Sequence, residues 1–129
     1  MAMEVRKFQC NLEGLAAAQS FLESVCASPK PAIVLDELAS NIVRCSGASD
    51  FSLGLEMVDG TLTLVLSDGG VAFDPTCETK KPDIAQSAQE REIGGLGVFM
   101  VKKMSESMTY RREAGKNILT VVLNCSSVR

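Results

Sequence analysis

The chain contains no histidine. That removes Ser-His and Cys-His nucleophile pairs, histidine metal ligands and any phosphohistidine relay. Acid–base chemistry must then use carboxylates, lysine, cysteine or tyrosine. A basic surplus is missing as well: 13 Lys and Arg against 16 Asp and Glu leave a net charge of −3, which gives no footprint for direct nucleic-acid binding. No apolar run is long enough to cross a bilayer. The segment Met1 to Lys7 lacks the charged-then-apolar layout of a signal peptide, so a cytoplasmic location and no membrane partner are expected. The five cysteines are an odd number, widely spaced and without a C-x-x-C pair. That pattern predicts reduced thiols rather than a disulfide frame or a zinc site. There is no internal repeat, low-complexity tract or second domain. What is present, 129 residues at 46% hydrophobic and 22% charged, suits a single domain over residues 1–129 with a real core.

Hydrophobic periodicity supplies the elements. Glu4 to Asn11 alternates around Val5, Phe8 and Cys10 and reads as a strand. Asn11 can cap a helix beginning at Leu12-Glu13, with Leu15, Ala16, Phe21, Leu22 and Val25 as its apolar face up to about Ser28. Pro29 and Pro31 break the chain between two helices. The second helix, about Ala32 to Cys45, has a stripe of Ile33, Val34, Leu38, Ile42 and Val43. Phe51, Leu53, Leu55 and Met57 alternate as a half-buried strand, Asp59-Gly60 is a two-residue hairpin signal, and Thr61 to Leu66 returns. From Val71 to Ile93 no period survives beyond one short helical turn near Ile84 to Gln89. A loop of that length is a functional lid or disordered. Few apolar residues anchor Thr76 to Glu92, which predicts mobility. A helix then runs to about Ser105, followed by strands over Ser107 to Glu113 and Lys116 to Asn124 around an Ala114-Gly115 turn. The order predicts an α+β two-layer sandwich, a mostly antiparallel mixed sheet with helices on one face.

Four stretches could carry chemistry. Gly94, Gly95 and Gly97 run straight into the third helix, and a glycine loop opening a helix is a seat for phosphate; the same glycines would also serve tight helix packing alone. Glu37 and Asn41 are i and i+4 and share a helix face. A carboxylate there can take a proton from a hydroxyl, and an amide oxygen suits Mg²⁺; a solvated polar face is the plainer reading. Asp68-Gly69-Gly70 at the end of a strand offers a carboxylate to an adenine amino group beside bare backbone, or is a simple turn. Thr120, inside the last strand, could reach phosphate through water or merely satisfy strand propensity. Arg91, Lys102 and Lys103 could meet phosphate or an acidic partner, though Lys102 and Lys103 also complement the negative end of their helix.

In this order, the segments resemble the GHKL ATPase superfamily with its Bergerat nucleotide-binding fold. Glu37-Leu38-Ala39-Ser40-Asn41 resembles the N box, Asp68-Gly69-Gly70-Val71-Ala72-Phe73-Asp74-Pro75 the first glycine box, and Gly94-Gly95-Leu96-Gly97-Val98-Phe99-Met100-Val101 the second. The closing Gly115-Lys116-Asn117-Ile118-Leu119-Thr120 also matches. Within the superfamily the short, free-standing layout is most similar to the bacterial anti-sigma-factor serine/threonine kinases. The resemblance implies ATP and Mg²⁺ as cofactors, Glu37 as general base and Asn41 as the magnesium ligand. It implies Asp68 and Gly70 at the adenine, Gly95, Leu96 and Gly97 at the phosphates, Thr120 in the same nucleotide site, and a lid within about residues 71–93. It implies transfer of the γ-phosphate to a STAS-domain anti-anti-sigma protein, a sigma factor as a second partner, and a homodimer. The alternative within the same family is a nucleotide-gated binding module with little or no transfer; a third is a protein of this shape that binds no nucleotide. Three departures stand out: Ala72 replaces the second glycine common in the first glycine box, Arg44-Cys45 stands where relatives often carry histidine, and the lid mixes acidic and basic residues in no pattern that points to a partner.

Overall fold

The computed structural model describes residues 3–72, 74 and 96–125. Among these residues eight elements follow one another: β1 (Glu4–Gln9), α1 (Leu12–Val25), α2 (Pro29–Cys45), β2 (Asp50–Val58), β3 (Thr61–Asp68), α3 (Leu96–Met104), β4 (Ser107–Glu113) and β5 (Lys116–Asn124). The strands form one open sheet in the order β1-β2-β3-β5-β4, and each of its ladders is antiparallel. Residues 73 and 75–95, which include most of the proposed lid, its short turn at Ile84 to Gln89, Arg91, Gly94 and Gly95, lie outside the described residues.

Alternation decides which face of the sheet is covered. Phe51, Leu53 and Leu55 of β2, Leu62, Leu64 and Leu66 of β3, and Leu119, Val121 and Leu123 of β5 point to one side and are buried. Ala18, Phe21 and Leu22 of α1, Val34, Leu35, Leu38 and Ala39 of α2, and Val98 and Val101 of α3 close over them. The residues between, such as Thr63, Val65, Ile118, Thr120 and Val122, face the other side and are only half-buried. This is the two-layer α+β arrangement, with the three helices of the described residues on one face.

Local chemistry explains the element ends. The Asn11 side chain accepts a 2.8 Å hydrogen bond from the Gly14 N–H, capping α1. The hairpin turns take positive φ at both central residues, 52° and 79° at Asp59-Gly60 and 54° and 77° at Ala114-Gly115, which matches the twist of the flanking strands. Two expectations change. Pro29 and Pro31 do not stand outside α2 but in its first turn, where an N–H has no partner within the helix and its loss costs little. The buried side of α2 is Pro31, Val34, Leu35, Leu38, Ala39 and Asn41, while Ile33 is 56% exposed. Starting the helix three residues early does not rotate it. The apolar spacing simply fits two neighbouring faces, and packing against the sheet chose one.

Strand β1 stops at Gln9, and α1 turns back against it so closely that a methyl group on Gly14 would overlap the Gln9 backbone carbonyl. Backbone cannot give way as a side-chain tip can. Gly14→Ala is therefore expected to destabilise the fold by about 1–3 kcal/mol, and Asn11→Ala by about 1 kcal/mol through loss of the cap. Both are measured as shifts of the urea midpoint.

Candidate functional site

The end of α2 and the end of β3 are bound together by their backbones. Ser46, the C-cap of α2, is buried, and its carbonyl accepts a 2.9 Å hydrogen bond from the Val71 N–H. Gly70 lies so close to Ser46 that any side chain on it would overlap Ser46 backbone and Cβ. Ala72, the departure from the glycine pattern, is exposed, so the tight approach falls two residues earlier in the loop. This contact brings the two polar groups of the N box and the first glycine box to one place. Asn41 and Asp68, 3% and 5% exposed, line a single pocket together with Leu38, Ile42, Ser46, Leu66, Tyr110, Asn117 and Leu119. The enclosed part of the pocket is small, about 30 Å³, and it opens to solvent.

The polar atoms in this pocket are unevenly satisfied. Asp68 accepts hydrogen bonds from the Gly70 N–H at 2.8 Å and from Asn117 Nδ2 at 3.2 Å, both on Oδ1. Among the described residues Oδ2 accepts none. Asn41 Oδ1 accepts from Arg44 Nη2, which uses one of its two lone pairs and leaves one for a cation. Asn41 Nδ2 is buried without a hydrogen-bond partner. Buried donors are rarely left so, and a ligand oxygen would satisfy this one. No group of three or more Asp, Glu, Cys or His among the described residues could hold a metal. A Mg²⁺ ion at Asn41 would therefore need oxygen ligands from a bound phosphate.

Glu37 stands one turn before Asn41 on α2 and is half-buried. The first turn of α3 packs directly on it, and a methyl on Gly97 would overlap its carboxylate. Burial raises the carboxyl above its ordinary value of 4.5; the Arg44 charge opposes that rise, Asp36 adds to it, and the nearby Asn41 amide opposes it. The Asn41 amide is thus close enough to favour the charged carboxylate, although its Nδ2 completes no well-formed hydrogen bond. The net rise makes Glu37 a better proton acceptor than a solvated glutamate. Leu96 is the first residue of α3, so its N–H and that of Gly97 are among the free donors at that helix end.

Thr120 is not brought to this place. It pairs with Val65 and Thr109 and, by alternation, faces away from the helices. The residue of that strand which enters the pocket is Asn117, across from Asp68. The register could have been found in the sequence: Leu119, Val121 and Leu123 alternate as the apolar face, and only odd-numbered neighbours share it. Tyr110 and Ser46 also line the pocket without any motif marking them. Cys10, Cys26, Cys45 and Cys125 are free thiols.

The raised Glu37 carboxyl has a consequence for stability. Its proton is held more tightly in the folded chain than in the unfolded one, so its contribution favours folding at low pH and is lost as pH rises from about 4.5 through the folded value. Glu37→Gln removes that charge cost. The variant should melt above the wild type at neutral pH, and the gap should close below pH 4.5 in thermal melts across the range.

Comparison with known proteins identifies the family. Residues 5–123 match the family described as the histidine kinase-like ATPase domain. The chain is 26% identical over 106 residues to the serine/threonine-protein kinase BtrW of Bordetella bronchiseptica, covering 82% of this chain and 71% of that one. It is 27% identical over 96 residues to the serine-protein kinase RsbW of Staphylococcus aureus, a match that covers 67% of this chain but only 59% of that protein. Among solved structures, the Acinetobacter baumannii histidine kinase AdeS superposes with a TM-score of 0.57 over 98% of this chain and 70% of its own, at 15% identity, a likeness of fold. With a family match running from β1 to the end of β5, and a fold shared with a kinase of that type, the chain belongs to the histidine kinase-like ATPase domain family.

Proposed function

We propose that the protein is a Mg-ATP-dependent serine/threonine kinase that phosphorylates a STAS-domain anti-anti-sigma protein and holds a sigma factor as its second partner. One observation carries the reading: a single pocket contains an aspartate with an unengaged carboxylate oxygen and a buried asparagine with an unsatisfied amide. Glu37 adjoins it on α2, at the start of α3. The kinase names of the two relatives and the resemblance of the motifs to the anti-sigma-factor kinases support the choice of reaction and partner.

The residues divide the work by their chemistry. Asp68 Oδ2 would accept from an adenine amino group, with Gly70 keeping the loop beneath it free of side chain. Asn41 would hold Mg²⁺ through Oδ1 and donate Nδ2 to a phosphate oxygen. The free N–H groups of Leu96 and Gly97 at the opening of α3, and Gly95 before them, would bind phosphate. Arg44, already on Asn41 Oδ1, keeps positive charge beside the same place. Glu37 would take the proton of the acceptor hydroxyl as its oxygen bonds to phosphorus. Bound Mg-ATP supplies the transferable phosphoryl group and the charge neutralisation that such transfer depends on.

Binding and transfer separate cleanly in two variants. Asp68→Asn should lose most Mg-ATP affinity by isothermal titration, because an amide nitrogen then faces the adenine amine. Glu37→Gln should keep affinity within about threefold but lower transfer of labelled phosphate to STAS-domain proteins about 10²–10⁴-fold. Firm ATP binding with no transfer to any such protein would make the chain a nucleotide-gated binding module. Wild-type protein that binds no ATP would end the reading.

A further inference from the structure

Asn117 is the residue across from Asp68 in the β3–β5 ladder, and it is 5% exposed. Its Oδ1 accepts from the Tyr110 hydroxyl at 2.6 Å and from Arg112 Nη1 at 3.0 Å. Its Nδ2 donates to the Val71 carbonyl at 2.8 Å and to Asp68 Oδ1 at 3.2 Å. A primary amide has two acceptor lone pairs and two N–H donors, so these four bonds use its full capacity. The amide cannot turn over, because the reversed group would set oxygen against both the Asp68 carboxylate and the Val71 carbonyl. Arg112 Nη1 also donates to the Gly70 carbonyl at 2.8 Å, tying the loop after Asp68 to the same clamp.

We propose that Asn117 is a positioning residue for base selection, locked by Tyr110 and Arg112 so that Asp68 presents only its Oδ2 to the ligand. The inference rests on the reading that this pocket takes ATP. With Oδ1 occupied by Asn117 and the Gly70 N–H, the carboxylate cannot swivel. A fixed acceptor oxygen then meets the exocyclic amine of adenine. Guanine carries a carbonyl oxygen at that position, which would face the carboxylate with no proton between them. Discrimination of this kind comes from leaving the wrong partner unpaired. Without Asn117 the carboxylate keeps only the Gly70 N–H and holds its acceptor oxygen less firmly, and the penalty against guanine falls. Tyr110 lines the pocket as well, so its ring bounds the space in which the clamp acts.

The test is the ratio of Mg-ATP to Mg-GTP dissociation constants, by isothermal titration on the full chain, for wild type, Asn117→Leu and Tyr110→Phe. Melting temperatures and transfer rates at saturating ATP are measured alongside. Asn117→Leu should weaken ATP binding about tenfold and leave GTP little changed, so that the ratio narrows by the same factor. Tyr110→Phe removes one hydroxyl and keeps the ring; it should narrow the ratio about threefold in the same direction and decides the matter if the leucine variant does not fold. Transfer at saturation should stay within about twofold of wild type in either variant, since the clamp acts on binding. A lowered melting temperature with an unchanged ratio would mean that Asn117 only holds the fold, and would overturn the proposal while leaving ATP binding intact. A wild type that binds neither nucleotide would overturn this and the parent reading together.

Discussion

The 2.9 Å hydrogen bond from Val71 N–H to the Ser46 carbonyl is the contact on which the site depends. It joins the end of a helix to the end of a strand in a different layer. A helix leaves its last carbonyls without partners, and the loop after β3 supplies a donor for one of them. Gly70 makes the approach possible because it brings no side chain between the two backbones. This junction fixes how the end of α2 meets the end of β3. Asn41 arrives from α2 and Asp68 from β3, and neither would face the other if the loop left the sheet in another direction.

The second constraint is electrostatic and lies on α2. Glu37, Asn41 and Arg44 occupy successive turns, so a carboxylate, an amide and a guanidinium act on one another at short range. Burial by Gly97 and α3 pushes the Glu37 carboxyl up, and Arg44 limits that rise. The balance leaves a carboxylate whose charged form is less stable than in water. That is the condition in which it gains most from accepting a proton. The same arrangement leaves the Asn41 amide nitrogen buried and unpaired. Strain of this kind is tolerated where a ligand relieves it.

Much of this was legible in the residues. Asn11 announced its cap, Asp59-Gly60 and Ala114-Gly115 announced their turns, and the last two strands begin and end where alternation placed them. These features are local, and local chemistry suffices to specify them. The departures share a different cause. Pro29 and Pro31 read as punctuation, but whether a proline ends one helix or starts the next depends on where the following turn packs. Ile33 and Leu35 are equally apolar, and only contact with the sheet left the first exposed and buried the second. Thr120 was singled out by residue type, yet strand register turned it from the pocket and turned Asn117 into it.

The sequence by itself determined the order of elements, the two-layer class and the identity of Glu37, Asn41, Asp68 and Gly97 as residues to watch, because periodicity and motif spacing act over a few residues at a time. The tertiary structure decided which of them meet. The Ser46–Val71 junction, the Asp68–Asn117 register and the seating of Gly97 on Glu37 join residues far apart in the chain. Such long-range contacts follow from the packing of helices on a sheet, a global minimum that no local pattern encodes.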